Sequence, residues 1–345
     1  MSTQFVDLNA VRFDPIRLAG HVESYFLKAN EPTGDRALWI KATIFAGQSD
    51  PLRPVVEGWA IAFDRRGGER RHVAVKHTLP FEAAAFHRGG LGVGWKVPVS
   101  ARAEHPAELT LTPGESTGLV VGAEHRVAWN LRFSQRGEAF AHYPYPLMYE
   151  APLPAFKVCS PCPDARFEGE VIVDGERWSL DGWRGMQGHN WGPEHTERYA
   201  WSHSAIWEEG DDLLLDGLSA KVALGPVRTP LLTLICVRHE GVDYAFNTPV
   251  ELVRSHGEIG PGRWTFSAKN RRARIEGSVE ASDEDFVGLY YPNPDGRMTY
   301  CLNTKLATAQ VCFQPAGGPA ITRSSRCAAL EIATRDPGHG VRMYV

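Results

Sequence analysis

The stretch ALWIKATIFAGQSDPLRPVVEGWAIAF, residues 37–63, decides the fold. Two runs of strand-forming residues, 37–45 and 55–63, flank a segment that contains Gly, Asp and Pro, which is the pattern of two strands joined by a turn. The run HVAVKHTL, residues 72–79, follows with the same composition. Its apolar positions, like those before it, lack the three- and four-residue spacing of an amphipathic helix. The stretch therefore predicts consecutive antiparallel strands.

The rest of the chain continues this strand pattern. Similar short runs recur at 118–123, at 127–133 and throughout the second half, separated by turn residues. With 34 glycines and 24 prolines in 345 residues, such regular short strands are typical of an all-β sandwich or barrel. Asp174 and Gly175 lie between two alternating runs within 167–183, which predicts a two-residue hairpin turn.

A repeat of pattern, although not of identity, indicates two copies of one unit. The runs ESYFLKAN, ALWIKATIF and VEGWAIAF are echoed in the second half by RYAWSHSAIW, LLLDGLSAKV and LLTLICVRH. We therefore predict an N-terminal barrel in residues 1–195 and a C-terminal barrel in residues 196–345, with a boundary near 150 as the alternative. The Pro- and Tyr-rich segment 142–167 is interpreted as a long connection. A barrel of about eight strands can enclose one small apolar ligand.

The composition is that of a globular protein, with 43% hydrophobic residues, 23% charged residues and a formal net charge of −4. No basic patch suggests a nucleic-acid partner, and no apolar run approaches the roughly 18 residues of a membrane-spanning helix. The N-terminal sequence MSTQFVDLNAVRFDPIRLAG lacks the basic start and apolar core of a signal peptide. We therefore expect a cytoplasmic protein without an integral membrane segment.

The segment GWRGMQGHNWGPEHTERYAWSHSAIW, residues 182–207, concentrates tryptophan, histidine and glycine. Its glycines favour a sharp turn at the domain junction, where pockets often form. The alternative is a packing plug whose polar groups are satisfied by backbone hydrogen bonds. On the first interpretation, alternation along the flanking strands directs an aromatic and polar stripe into a pocket. The predicted ligand-binding residues are Asn190, Trp191, Trp183, Trp201, Tyr199, Trp39, Trp59 and His195.

A carboxyl group that faces an apolar interior has a raised pKa and can act as a general acid. Asp216, with leucines on both sides in LLLDGL, is the first candidate, ahead of Glu57 and Glu23. His189 and His203 are the other predicted catalytic residues. The spacing of His189, His195 and His203 matches no local zinc pattern. No phosphate loop, dinucleotide fingerprint or nucleophile elbow occurs, so neither metal nor cofactor is expected.

The segments GMQGHNWGPEH and YAWSH, with ESYFLKAN and ALWIKATIF upstream, resemble a known superfamily. It is the lipocalin-like superfamily of carotenoid 1,2-hydratase (hydroxyneurosporene synthase) and, more distantly, tocopherol cyclase, and the likeness is closest to uncharacterised bacterial members. The resemblance implies two tandem antiparallel lipocalin-like (calycin) β-barrels. It also implies that His189, Asn190, Trp191, Trp201 and His203 lie near the site. No acidic residue here matches the acid of the hydratase.

Activities in that superfamily add water to an isoprenoid chain or cyclise it after protonation of a double bond. Aromatic faces stabilise the resulting carbocation, and a buried carboxylic acid or a protonated histidine delivers the proton. The resemblance therefore suggests a cofactor-independent enzyme for a hydrophobic isoprenoid-like molecule, acting by hydration, cyclisation or isomerisation. A non-catalytic lipid or pigment carrier is the alternative, a structural protein is a third possibility, and peripheral contact with a membrane that supplies substrate stays open.

Overall fold

The computed structural model of the protein describes most of the chain, namely residues 7–17, 19–50, 53–97, 106–224 and 227–345. Residues 1–6 of the N-terminal sequence, on which the cytoplasmic prediction partly rests, lie outside the described residues. Among the described residues, no helix is long and apolar enough to cross a membrane.

The first half of the chain forms one antiparallel sheet of twelve strands. Its strands are β1 (His21–Asn30), β2 (Arg36–Ala46), β3 (Val55–Asp64), β4 (Val73–Pro80), β5 (Ala85–Phe86), β6 (Val93–Val97), β7 (Ala107–Thr112), β8 (Glu115–Val121), β9 (Arg126–Gln135), β10 (Lys157–Val173), β11 (Glu176–Ser179) and β12 (Trp183–Gly192). Their order is β4-β3-β2-β1-β12-β10-β9-β8-β7-β6-β5, and β11 pairs with β10. A short helix α1 (Leu147–Glu150) lies in the connection before β10.

The second half forms an antiparallel sheet of ten strands. Its strands are β13 (Tyr199–Ser204), β14 (Leu213–Leu224), β15 (Val227–His239), β16 (Val242–Phe246), β17 (His256–Gly260), β18 (Arg263–Lys269), β19 (Ala273–Glu280), β20 (Val287–Pro292), β21 (Met298–Pro315) and β22 (Ile321–Thr334). Their order is β16-β15-β14-β13-β22-β21-β19-β18-β17, and β20 pairs with β21. Helix α2 (Pro249–Arg254) follows β16 and begins with a capping box between Thr248 and Glu251.

Each sheet curls around its own core. In the first sheet, Leu27 and Ile40 pack in one buried cluster with Leu109 and Val127 from the opposite half. The second sheet encloses a separate cluster in the same way. The predicted all-β, two-domain lipocalin-like fold is thereby confirmed.

The two sheets start alike, as the repeat of pattern predicts. Strands β1 to β3 and strands β13 to β15 are both meanders, and in each sheet the first strand also pairs with the last. The chain passes from one sheet to the other between Gly192 and Tyr199. We propose a domain division near residue 195 on this basis.

A third apolar cluster joins the two domains. Trp39, Trp59 and Phe63 on the outer face of β2 and β3 pack against Leu289 and Tyr291 of β20. All five side chains are buried. Burial of this much aromatic surface is the main favourable term that holds the sheets together.

The prediction of a sharp turn in the Trp- and Gly-rich segment is wrong. Residues 183–192 are strand β12, which pairs with β1 on one side and β10 on the other. Its glycines make room for neighbours: a Cβ on Gly185 would lie 1.7 Å from the Lys28 carbonyl oxygen, and one on Gly188 would lie 2.2 Å from the Phe26 ring. Glycine within a strand marks such close approaches as well as turns.

Strand β10 begins at Lys157, within the segment 142–167 that is predicted to be a connection. Its pairing with β12 shifts register between Cys159 and Cys162 and again between Cys162 and Ala165. These irregularities lie at Pro161 and Pro163, which have no N–H to donate to a ladder. The connection therefore ends at residue 156. The predicted hairpin turn at Asp174 and Gly175 is confirmed, with φ of 50° and 94°.

Gly185→Ala is expected to lower the free energy of unfolding by about 3 kcal/mol, because the added Cβ would overlap the backbone of β1. Urea denaturation followed by tryptophan fluorescence measures the change. The control is Gly260→Ala, whose Cβ meets no atom closer than 4.0 Å, so its change stays within about 1 kcal/mol. Equal stabilities of the two variants would contradict the close approach of β1 and β12.

Candidate active site

A cavity of about 390 Å³ lies between the two sheets. This volume is within the usual range for small-molecule sites. Both domains and the connection before β10 contribute to its wall. Most of the wall is apolar, and its aromatic residues are Phe26, Trp39, Tyr143, Phe156, Tyr199, Trp201 and Tyr291.

The structure brings part of the predicted site to this wall. The predicted residues that line it are Trp39, His189, Asn190, His195, Tyr199 and Trp201. Three predicted tryptophans lie elsewhere. Trp183 belongs to the core of the first domain, Trp59 to the cluster between the domains, and Trp191 packs with Tyr149 and Cys159.

Asp216 is fully buried directly behind the wall. Its Oδ1 accepts a hydrogen bond from Trp201 Nε1 at 2.9 Å and lies 3.3 Å from His142 Nε2. Its Oδ2 accepts a hydrogen bond from the Ser160 hydroxyl at 2.5 Å. These three partners line the cavity whereas Asp216 does not. The carboxylate therefore influences the cavity through them.

The expectation that the pKa of Asp216 is raised is wrong. Burial does raise it, but the neighbouring His142 and the hydrogen bond from Ser160 outweigh burial and lower the pKa to about 2. Asp216 is consequently ionised at neutral pH and has no proton to deliver. Its negative charge instead lies beside the imidazole of His142.

His203 also lies behind the wall and is held neutral. Its Nε2 donates to the Pro163 carbonyl at 2.7 Å, which leaves Nδ1 to accept from Lys28 Nζ at 3.1 Å. Burial, followed by the charge of Lys28, lowers the pKa of His203 to about 3. These contacts make His203 unsuited to the role of a protonated acid, and they link the first strands of the two domains.

His189 lines the cavity, but both of its ring nitrogens are engaged. Nε2 lies 2.9 Å from Glu23 Oε1, and Nδ1 lies 2.6 Å from the Leu8 carbonyl oxygen. The ring stacks on Tyr25 with centroids 4.1 Å apart. Burial raises the pKa of Glu23, yet hydrogen bonds from His189 and His21 hold it well below its usual range. Glu23 and His189 thus form a buried hydrogen-bonded pair beside the cavity.

A buried ion pair supports the wall from the other domain. Lys305 Nζ lies 2.6 Å from Glu331 Oε1 and donates to Asn303 Oδ1 at 2.7 Å. Burial lowers the pKa of Lys305, and the charge of Glu331 opposes that shift. Glu331 lines the cavity, and the positive charge of Lys305, behind the wall, balances its negative charge.

His142 is the functional candidate that sequence reasoning missed. The backbones of Phe140 and Ser160 exchange hydrogen bonds of 2.9 and 3.1 Å, which fix the start of the connection against β10. Asn247 Nδ2 then donates to the His142 carbonyl at 3.0 Å. Both ring nitrogens of His142 are buried without a hydrogen-bond partner among the described residues, and Nε2 is the one that lies near Asp216. The available signal was a lone imidazole in the Pro- and Tyr-rich segment.

Among the described residues, no three His, Cys, Asp or Glu side chains are arranged to hold a metal ion. Glu57, the remaining carboxylate candidate, pairs with Lys76 at 2.8 Å.

Acid is expected to destabilise the fold through its buried histidines. Burial lowers the pKa of His72 and His77 to about 4. It lowers the pKa of His195 and His203 to about 3. In the unfolded chain a histidine titrates near 6.5. Their contribution to stability is complete above that value and is lost as the pH falls toward the folded pKa.

His195→Gln is expected to reduce the loss of unfolding free energy between pH 7 and pH 5 by about 2 kcal/mol, since one proton-binding site of the unfolded chain disappears. Urea denaturation at the two pH values measures it. His256→Gln, at an exposed position of β17, serves as the control. A pH dependence equal to that of the wild type in both variants would rule out a neutral buried His195.

Comparison with known proteins places the chain in a family. Residues 148–334, which are more than half of the chain, match the family described as tocopherol cyclase-like. Uncharacterized protein Rv0493c of Mycobacterium tuberculosis (strain ATCC 25618 / H37Rv) is 26% identical over 298 residues, covering 85% of this chain and 81% of that protein.

Two solved structures share the fold. CghA superposes with a TM-score of 0.59 at 11% identity, over 97% of this chain and 96% of that chain. Kievitone hydratase from Nectria haematococca superposes with a TM-score of 0.50 at 9% identity, over 91% and 90% of the two chains. The fold likeness agrees with the sequence match, and the chain belongs to the tocopherol cyclase-like family.

Proposed function

We propose that this protein is an enzyme that protonates a double bond of a hydrophobic, isoprenoid-like small molecule and so hydrates, cyclises or isomerises it. The observation that carries the proposal is the pairing of a buried, ionised Asp216 with His142 on the wall of an apolar cavity. A carboxylate of this kind stabilises imidazolium and orients its ring, as in other acid–base pairs.

In the proposed mechanism, His142 is the proton donor and Asp216 is a positioning residue. Nε2 lies 3.3 Å from Asp216 Oδ1 without a hydrogen bond, and Nδ1 has no polar partner among the described residues. We assign Nδ1, the nitrogen that does not face Asp216, to the substrate. Transfer of the Nδ1 proton to one carbon of a double bond leaves a carbocation at the other carbon. Asp216 places a negative charge beside the ring of the proposed donor.

The aromatic wall would stabilise the cation until it reacts. Trp39, Trp201 and Tyr291 present π systems to the cavity, and such faces attract cations most strongly where water is excluded. Hydration follows if water adds to the cation and then releases a proton. Cyclisation follows if a second double bond attacks and a neighbouring proton leaves. In each case the proton that is released restores His142.

Two comparisons support this chemistry. The chain belongs to a family described as tocopherol cyclase-like, and a protein of the same fold is named kievitone hydratase. Cyclisation and hydration can share a first step, the protonation of a double bond. The carrier hypothesis explains the cavity equally well but gives no reason for the Asp216 and His142 pair.

The first experiment is organic extraction of the purified protein with native mass spectrometry, to identify a bound molecule. That molecule, or geranylgeraniol if none is found, is then incubated with the protein in D₂O. Protonation of a double bond introduces deuterium into the product, which mass spectrometry detects for hydration, cyclisation and isomerisation alike.

His142→Gln is expected to lower the rate of deuterium incorporation by about 10²-fold or more, the usual contribution of a general acid, while ligand binding persists. Asp216→Asn should reduce it as well. His239→Gln is the matched control, because His239 also lies near a carboxylate, 3.8 Å from Asp212, but not on the cavity wall.

Incorporation at the wild-type rate in His142→Gln would overturn the assignment of the acid. Binding without any incorporation by the wild type would favour the carrier. Absence of both ligand binding and deuterium incorporation in the wild type would refute the apolar-ligand site itself.

We also propose peripheral contact with a membrane, through which an apolar substrate would reach the cavity. Met148 of α1 and Leu252 of α2 line the cavity, and beside them Leu147 and Val253 are 74% and 83% exposed. Exposed apolar side chains beside a ligand site are typical of an interaction surface. The cytoplasmic location stays a prediction, supported by six free cysteines.

The double variant Leu147→Asp, Val253→Asp is expected to lose co-sedimentation with phosphatidylcholine vesicles, since charged side chains do not enter the interface. Val242→Asp, at an exposed position of β16, should sediment like the wild type. If the double variant sediments fully, the membrane surface lies elsewhere or does not exist.

A further inference from the structure

Lys41 places a cation on the cavity wall. It lies on β2, is only 4% exposed and lines the cavity. Its ammonium group lies 3.9 Å from the ring centroid of Tyr291 and 5.4 and 5.5 Å from those of Trp39 and Trp59. Three aromatic rings therefore surround the charge.

Three other lysines near the junction have polar partners, whereas Lys41 has none among the described residues. Lys28 donates to His203 and to backbone carbonyls, Lys305 pairs with Glu331, and Lys76 pairs with Glu57. For Lys41, no acceptor among the described residues lies within hydrogen-bond distance and no carboxylate within 4.0 Å. Its ammonium group instead lies against the rings of Trp39, Trp59 and Tyr291.

An ammonium group has three N–H donors, and a buried cation without acceptors is costly. Aromatic faces offset part of that cost but accept no strong hydrogen bond. Glu331 accepts hydrogen bonds from Lys305 and Asn303 at Oε1 and does not lie within 4.0 Å of the Lys41 ammonium group. Burial lowers the pKa of Lys41 to about 8, so that most of the group is still protonated at pH 7. The cavity is the side from which an acceptor can reach this group.

We propose that Lys41 binds an anionic oxygen of the substrate, a carboxylate or an enolate, inside its aromatic surround. This inference rests on the proposed function, since it concerns the same cavity, and it narrows the substrate class. The substrate would be an apolar molecule with one acidic oxygen, anchored at Lys41 by a charge-assisted hydrogen bond. A neutral hydrocarbon of equal size would lack that anchor.

Two fluorescent probes with one skeleton test this. 8-Anilinonaphthalene-1-sulfonate carries anionic oxygens, and N-phenyl-1-naphthylamine is its neutral counterpart. Their dissociation constants are measured at pH 7 for the wild type, Lys41→Met and Lys221→Met. Methionine keeps the length and apolar body of lysine without its charge, and Lys221 is an exposed lysine on the same cavity wall.

Lys41→Met is expected to weaken binding of the anionic probe about tenfold, the effect of losing a hydrogen bond to a charged group, with less than about twofold change for the neutral probe. Lys221→Met should retain the preference of the wild type. The inference would be overturned if Lys221→Met, instead of Lys41→Met, lost the preference for the anionic probe. It would also be overturned if the ratio of the two dissociation constants in Lys41→Met equalled that of the wild type. Either result would leave the proposed function intact. Failure of both probes to bind the wild type would overturn both.

The thermal midpoint of the free protein separates this role from a purely structural one. If Lys41 is kept for a ligand, its removal deletes an unpartnered buried charge, and the midpoint should stay equal or rise. A lower midpoint, together with weaker binding of both probes, would show that Lys41 supports the fold, and it would refute the ligand role.

Discussion

The packing of the outer face of β2 and β3 against β20 is the constraint on which the rest of the structure depends. Each curled sheet has its own core, so neither domain needs the other to bury its interior. The cluster that contains Trp39, Trp59 and Tyr291 brings them together. Because both surfaces are curved, they meet over part of their area and leave a gap. That gap, closed by the connection before β10, is the cavity.

The junction also buries several charges, and each is costly unless it has a partner. Lys28, Lys305, Glu331 and Asp216 are satisfied by hydrogen bonds and ion pairs. Such a network is compatible with few relative positions of the two sheets. A shift of one sheet would leave several buried polar groups without hydrogen-bond partners at once. Among the described residues, Lys41 differs because aromatic rings surround its ammonium group and no acceptor lies within hydrogen-bond distance.

The position of Asp216 shows why a buried carboxylate is not automatically an acid. Burial favours the neutral form, but hydrogen bonds and a nearby imidazole favour the charged form. Here the second effect prevails, and the proposed acid is the histidine that Asp216 orients. The three partners of Asp216 come from β10, β13 and the connection. Its environment is therefore a property of the assembled junction.

The sequence by itself determined the class of fold, the two copies of one meander and the hairpin at Asp174. These features depend on alternation, turn residues and strand composition, which act over a few neighbouring residues. It also indicated residues on the wall, such as Trp39 and Tyr199, because side chains two apart on a strand share a face.

Tertiary structure alone decided the remainder. The glycines of β12 make room for β1, a requirement that exists only once the strands are paired. The contact between Asp216 and His142 joins residues far apart in the chain, and pKa values depend on such neighbours rather than on residue type. Whether Lys41 has a partner likewise depends on every side chain that surrounds it. Local pattern predicts the strands, but only the packing of one sheet on the other decides which groups share the cavity.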